Sequence, residues 1–541
     1  MNKLVPIVFV ISAILWFALL GHRDVIEPDE ARYAETPREM VVSGDWLTPR
    51  IDGFKYFEKP PLQYWLTAVN YELFGVSNAS ARLWLVTGGF LCGLFIWFLG
   101  ARLYGPEVGI TAFVMTLSSF LFTMLGHYLT LDLSVTLFMT LGVGCLLLAQ
   151  EARDAPARNR NWMLLGWVAL AAAVLTKGLM GIVLPGLAVF LYMLWQRDWA
   201  MFRHLHLGKG LIVLLALTAP WFVAVSKANP EFAHFFFIHE HFERYTTTVS
   251  QHVEPFYYFV PVLLLGVCPW LITSLGGLFR PGFSWRRPTA GEGFNSERFI
   301  WIYVVSIFLF FSFGGSKLPS YILPIFPMIA LLAARRLRDR GRVGGDRWVM
   351  LALALILLLA GVFAERFGSD LIPAIMYTAF RPWLLGCAAM LALAAAALFK
   401  WAAYGKKAVV IAGLCVILGF QMLLWGYQSF AGSRSSSVEA RVIKEQMPGA
   451  PVYAVATYAV ALPFYLNRNV TMVWYKGELG MGIDAEPQTW IPTLDDFAKR
   501  WQGETRAVAV MEQDTYQQLK QMQVPMHIIY QGPRRLVVTR P

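Results

Sequence analysis

The chain has 541 residues, of which 57% are hydrophobic and 15% charged, and its mean hydropathy is +0.51. Soluble domains carry roughly 25% charged residues, so this balance excludes a soluble globular protein and points to an integral membrane protein. The net charge of +11 lies mostly in short loops between apolar runs, where membrane proteins keep Lys and Arg, and does not imply a nucleic-acid partner.

A membrane-crossing helix needs about 20 apolar residues. About thirteen segments fit that pattern: 4–21, 81–103, 107–126, 132–150, 162–176, 178–195, 209–226, 257–279, 299–314, 320–334, 348–364, 383–399 and 408–427. The first follows Lys3 and resembles a signal peptide, but no small-x-small cleavage site follows it, so it reads as a retained span. The twenty Trp, twenty-one Tyr and thirty-nine Phe suit aromatic belts at the two interfaces. Five cysteines, Cys92, Cys145, Cys268, Cys387 and Cys415, all fall inside apolar runs, so neither a disulfide framework nor a zinc knuckle is supported.

With the N-terminus cytoplasmic, the strongly basic short loops share one side. They hold Arg153, Arg158 and Arg160; Arg197, Arg203 and Lys209; Arg280 to Arg298; Arg335 to Arg347; and Lys400 to Lys407. The opposite side receives the 22–80 loop, His127 to Leu131, Lys177, the 227–256 loop, Ser316 to Pro319, the 365–382 loop and the tail from about 428.

The 22–80 loop is far longer than a connector requires. Between Glu27 and Lys59 it carries thirteen charges of both signs, interleaved with Tyr33, Trp46, Tyr56 and Phe57. Glu30 to Val42 has helical spacing after Pro28, and Pro60-Pro61 opens a second helix with Trp65, Leu66 and Val69 on one apolar side. Both read as interfacial helices. From Ser433 the composition becomes that of a soluble domain of about 110 residues. Val452–Ala456, Val470–Val473 and Ala507–Met511 read as strands, Leu494–Trp501 and Thr515–Met522 as helices, and His527–Tyr530 with Leu536–Thr539 as a hairpin about Gly532-Pro533. The expected division is 1–430 for the membrane part and 431–541 for a small α/β domain.

Four groups of residues carry chemistry. Asp29 and Glu30, with Arg32 and Tyr33 on the same short helix, put carboxylates at a membrane surface; after a proline such carboxylates often do no more than start a helix. Tyr56, Glu58 and Lys59 are bracketed by aromatics and by Pro60-Pro61, which fix the backbone. A rigid Lys at an interface is a good phosphate ligand, although an exposed Glu-Lys pair is usually only a surface pair. Asp132, Lys177, Lys317 and Tyr321 lie at the outer ends of spans, where ionisable residues are functional candidates and where snorkelling is the bland alternative. His239-Glu240-His241 offers imidazoles for a structural divalent metal, zinc for preference, with Glu58 as a further ligand; only one of His239 and His241 can face a given site from a helix.

Together these motifs resemble a known family. The run PDEARYAETPREMVVSGDWLTPRIDGFKYFEKPP is similar to the first periplasmic loop of the bacterial lipid A aminoarabinose transferases, and TLDLSVTLF, LTKG, HEHFERY and SKLPSYILP follow in that family's order. The wider GT-C superfamily, protein O-mannosyltransferases included, shares only an acidic pair in this loop and the many-span plan. The resemblance implies a mostly α, GT-C-type membrane enzyme of the bacterial inner membrane. It implies transfer of aminoarabinose from undecaprenyl phosphate to lipid A phosphate, resistance to polymyxin, and no required cofactor. Asp29 matches the family's essential aspartate, Lys59 the lysine near the donor phosphate, and Tyr321 a further contact of that phosphate. Asp29, Glu30 and Asp132 are therefore expected to be catalytic, and Arg32, Tyr33, Tyr56, Lys59, Lys177, Lys317 and Tyr321 to hold the donor; Glu58 and His239 are the metal candidates. A transporter would need broken helices around a midplane site and often repeated halves; neither is visible in the sequence. A non-enzymatic lipid-binding scaffold is the third reading.

Overall fold

The structure is a computed structural model that describes residues 4–243, 254–279, 293–340, 345–401 and 405–540. Every expected apolar segment falls on helix, but not every one forms a single straight span. Among the described residues seven helices are long and apolar enough to cross a membrane, or nine if each of two bent pairs counts as one span.

The bends have chemical causes. The 107–126 segment is Pro106–Leu117 and Phe120–His127, set 60° apart. At the break, the Ser118 and Ser119 hydroxyls donate to the carbonyls of Val114 and Met115 at 2.6 and 2.7 Å, competing with the helical ladder. The 257–279 segment is Phe259–Gly266 and Leu271–Leu278, turned by 120°. Pro269 lies in that break, has no N–H to donate and cannot continue the first helix. The first helix, Leu4–Phe17, has 14 residues, fewer than the 4–21 run suggested. Pro319–Arg340 and Asp132–Glu151 sit at the centre of the bundle, with 89% and 83% of their apolar windows buried, whereas Leu207–Ala228 buries 17% and turns Ile212 and Leu215 outward.

Loops that the charge pattern assigns to the same side touch one another. At one end Thr48 pairs with Asn229, Lys55 with Glu231, and Asp132 with Lys177. At the other, Arg153 pairs with Asp198, Arg335 with Glu297, and Tyr104 with Ser296.

The helix expected at 30–42 runs Asp29–Ser43 and stops at Gly44, whose φ of 73° is the left-handed conformation that glycine adopts without strain. Its polar residues Glu30, Glu35, Thr36, Arg38 and Glu39 are buried. Arg38 chelates Glu35 and reaches Asn469 at 2.9 Å. A two-residue hairpin, β1 (Arg50–Ile51) with β2 (Phe54–Lys55), follows. Leu62–Phe74 leaves Val69, Leu73 and Phe74 exposed, as an interfacial helix does.

The C-terminal sheet has β3 (Val452–Val455), β4 (Thr471–Val473), β5 (Val508–Met511), β6 (His527–Gln531) and β7 (Leu536–Thr539) in the order β4-β3-β5-β7-β6. β3 runs parallel to β4 and β5, while β5, β7 and β6 are antiparallel. Side chains alternate between two cores, as a strand's period of two requires. Tyr453, Val455, Ala509 and Met511 pack on Phe497, Trp501 and Leu519 of the outer helices. Val452, Ala454, Val508 and Val510 face the inner helices Ser437–Gln446 and Ala461–Leu466, in a core continuous with the membrane bundle. Those two inner helices had no clear signal in the sequence.

Candidate active site

The chain entering the Asp29 helix is tied down at nearly every residue. Asp24 accepts from Ser437 at 2.6 Å, the Val25 N–H donates to Tyr465 at 2.7 Å, and the Glu27 N–H donates to the Arg434 carbonyl at 2.8 Å. The buried Glu27 carboxylate accepts from Arg535 at 2.7 Å, Ser436 at 2.5 Å and the Ala461 N–H at 3.0 Å. Asp52 and Arg50 extend the seam to the Val470 N–H and to Glu486. Gly482 lies so close to β2 that a Cβ would collide with the Lys55 carbonyl.

Glu30 is a structural anchor rather than a catalytic acid or base. Fully buried, it accepts six hydrogen bonds: two from Arg23, two from Arg82, and one each from the Leu129 and Ile26 N–H groups. Burial alone would raise its pKa, but the charges of Arg23 and Arg82 outweigh burial and hold it at about 2. No lone pair is left for a substrate. Its sequence neighbour points elsewhere, because successive helical positions are about 100° apart. Asp29 is 46% exposed, pairs with Arg32, and accepts from Tyr128 at 3.2 Å.

Arg32 bridges Asp29 to Glu478 of the C-terminal domain. Burial works against its charge, and the surrounding Tyr56, Glu478, Glu58 and Asp29 more than offset that, raising its pKa. Glu478 itself is pushed up, first by burial, with Arg32 opposing and Glu58 adding to the rise. Tyr33 stacks on Tyr64 at 5.8 Å, and its phenol is raised by burial, then by Tyr64 and by the charge of Asp132. Buried Tyr56 is raised by burial and then by Glu58. Lys59 donates to the Glu58 carbonyl at 2.8 Å and lies 3.9 Å from its carboxylate.

Asp132 opens its helix, where the dipole favours an anion, and pairs with Lys177. The Lys177 ammonium lies 4.9 Å from the centre of the Tyr321 ring, which packs on Phe311. Asp29, Arg32, Tyr33, Tyr56, Glu58, Asp132, Lys177 and Tyr321 are thus linked by contact or by field at one end of the bundle, and Lys59 joins through Glu58. Lys317 does not join it. Buried, it donates to the carbonyls of Gly314 and Glu254 at 2.6 and 2.8 Å and fixes the turn ahead of Tyr321. Among the described residues no three His, Cys, Asp or Glu gather as metal ligands. The side chain of His239 lies outside the described residues.

Three participants went unread in the sequence. Arg23 and Arg82 are charges at span ends, the signal that singled out Asp132. Glu478 carries no such mark: it is one acid in a Lys-Gly-Glu-Leu-Gly turn, 446 positions from Arg32.

A family model for the aminoarabinose transferase C-terminal domain matches residues 439–540, and one for dolichyl-phosphate-mannose-protein mannosyltransferase matches residues 1–236. An undecaprenyl phosphate-alpha-4-amino-4-deoxy-L-arabinose arabinosyl transferase of Erwinia tasmaniensis is 31% identical, over 91% of this chain and 90% of its own. The crystal structure of ArnT from Cupriavidus metallidurans bound to undecaprenyl phosphate superposes with a TM-score of 0.91 at 34% identity, covering 100% of this chain and 98% of that one. An oligosaccharyltransferase of Archaeoglobus fulgidus, at 12% identity and a TM-score of 0.50 over 95% of this chain and 69% of its own, shares the fold alone. Identity of that order along nearly the full length of both chains makes this protein a member of the undecaprenyl phosphate aminoarabinose transferase family of lipid-linked-sugar glycosyltransferases.

Proposed function

We propose that this chain moves 4-amino-4-deoxy-L-arabinose from undecaprenyl phosphate to a phosphate group of lipid A. The observation that carries the reading is the gathering of Asp29, Arg32, Lys59, Asp132, Lys177 and Tyr321 at one end of an apolar bundle, where the phosphate of a lipid-anchored donor would sit. Departure of a polyprenyl phosphate develops negative charge, and the cations placed for it are Lys59 and Lys177, with Tyr321 alongside. Both are held beside carboxylates, so an incoming phosphate competes with Glu58 and Asp132 for them. Arg32, bridged to Asp29 and Glu478, orients the reacting groups more than it binds the leaving phosphate. The acceptor is a phosphate monoester with a second pKa near ~6 and is ionised already, so no strong base is needed. Asp29 then aligns the substrates and stabilises positive charge at the anomeric carbon. The reaction is a single in-line displacement with inversion.

The thirteen helical segments are read as thirteen spans with the N-terminus cytoplasmic, since the basic loops share one end. That orientation puts the Asp29 cluster and a domain spanning 431–541 in the periplasm of a bacterial inner membrane. Resistance to polymyxin follows, because the added amine makes lipid A less anionic. No metal is required on this reading. Transfer unaffected by EDTA supports it, whereas loss restored by zinc assigns Glu58 and His239 as ligands. The deciding experiment supplies purified protein with labelled undecaprenyl-phosphate aminoarabinose and lipid A; absence of labelled lipid A refutes the function. The match to the mannosyltransferase family over residues 1–236 favours one second reading, a protein acceptor, which labelled polypeptide in the same assay would reveal.

A further inference from the structure

At the start of the Asp29 helix lies a half-open cavity of ≈ 250 Å³ between Pro28 and the C-terminal sheet. Its wall is built at the carboxyl ends of three neighbouring parallel strands. Tyr458 follows β3, Tyr475 follows β4 and Glu512 follows β5, while Arg534 comes from the turn into β7. Carboxyl ends of parallel strands are where α/β sheets bind ligands. The lining mixes aromatic faces with a few polar groups, as saccharide sites do: Tyr458 and Tyr475 stack at 5.2 Å with only 7° between their planes.

Two consecutive arginines behave differently here. Arg535 is buried and spent on Glu27, Ser436, Thr457 and the Tyr458 carbonyl. Arg534 is 39% exposed and, among the described residues, makes no hydrogen bond. It has only ion pairs at 3.8 Å to Glu27 and 3.7 Å to Glu512, too long for hydrogen bonds. Glu27 is already neutralised by Arg535 at 2.7 Å and Glu478, whose charge also reaches Tyr475, is held by Arg32, so among the described residues Glu512, itself 48% exposed, is the counter-charge an incoming anion must displace from Arg534. The guanidinium therefore keeps a planar fork of donors for a phosphate. Tyr475 lies in the field of both Arg32 and Arg534, so the cavity and the Asp29 cluster adjoin.

Resting on the transferase reading above, we propose that this cavity is the acceptor's headgroup subsite, taking a phosphorylated saccharide with Arg534 on its phosphate and the Tyr458–Tyr475 wall against its sugar. A polyprenyl-phosphate donor stays with the spans, where Lys59 and Lys177 wait. A lipid whose sugar headgroup projects from the bilayer reaches the strand ends, and Pro28 delivers it next to Asp29.

The test uses the full chain in nanodiscs and measures equilibrium binding of a phosphorylated glucosamine disaccharide, the same disaccharide without phosphate, inorganic phosphate, and undecaprenyl phosphate. Arg534→Ala should weaken the phosphorylated disaccharide by at least about tenfold, with Arg534→Lys between it and the parent. Glu512→Gln should tighten it, a gain that misfolding cannot produce. Undecaprenyl phosphate should bind all four proteins alike. Binding of the phosphorylated disaccharide unchanged by Arg534→Ala, or undecaprenyl phosphate lost along with it, overturns the assignment. Inorganic phosphate binding as tightly as the phosphorylated disaccharide overturns the saccharide wall. These readouts need no turnover, so they stand if transfer itself fails. Conversely, normal transfer by Arg534→Ala with a parental acceptor KM removes the subsite and leaves the transferase intact.

Discussion

Adjacent carboxylates with opposite duties can be separated by two isosteric substitutions. Glu30→Gln keeps the size of the side chain but removes the charge that Arg23 and Arg82 share, and those arginines are 7% and 2% exposed in their side chains. The fall of the Glu30 pKa from 4.5 to about 2 corresponds to roughly 3 kcal/mol of preference for the charged form. Breaking a buried ion pair from one side costs about 3–5 kcal/mol, in agreement. The sign follows from a depressed carboxyl: the contribution is full above pH 4.5 and is lost as pH falls toward 2. Asp29→Asn alters a group that is 46% exposed and should change stability by no more than about 0.5 kcal/mol while abolishing transfer. Thermal unfolding in detergent and the labelled-sugar assay, run on both variants at pH 7, give the answer. A Glu30→Gln protein that melts like the parent yet transfers nothing would make Glu30 the reacting carboxylate and refute the assignment, as would an Asp29→Asn protein as unstable as Glu30→Gln.

Lys59→Ala should weaken donor binding by roughly 10–100-fold, the worth of a charged hydrogen bond, read by titration with undecaprenyl phosphate; unchanged affinity would leave Lys59 a surface charge. Glu478→Gln should slow transfer by about 5–30-fold with little change in melting, since it loosens Arg32 but its side chain is 22% exposed. Buried Glu439 has its pKa pushed up to about 7 by burial, so it stabilises the fold only while protonated: up to about 3 kcal/mol present below pH 4.5 is lost as pH rises to 7. Glu439→Gln should flatten that dependence, measured as melting temperature between pH 4.5 and 7.5.

The sequence made the rim charges legible because apolar runs leave few places for Asp132, Lys177 or Lys59 to be. It could not separate Asp29 from Glu30, since adjacency along the chain says nothing about which way each leaves the helix, and partners 7 and 52 positions from Glu30 decide the matter. Lys317 looked equivalent to Lys177, but its reach toward two carbonyls depends on a turn that no pattern encodes. The breaks at Ser118–Ser119 and Pro269 were readable in principle, where hydropathy alone overrode local chemistry. The tail's strands followed from short Val-rich runs set between turn residues, while its hold on the first loop rests on contacts spanning more than four hundred positions.

Glu27 and Arg535 are separated by 508 positions. During synthesis the first extramembrane segment leaves the ribosome long before Arg535 is translated, and its Glu27 must wait without that partner while every later helix enters the bilayer. A nascent chain stopped short of β7 would therefore hold all of its rim lysines while the approach to Asp29 still lacked its Arg535 anchor.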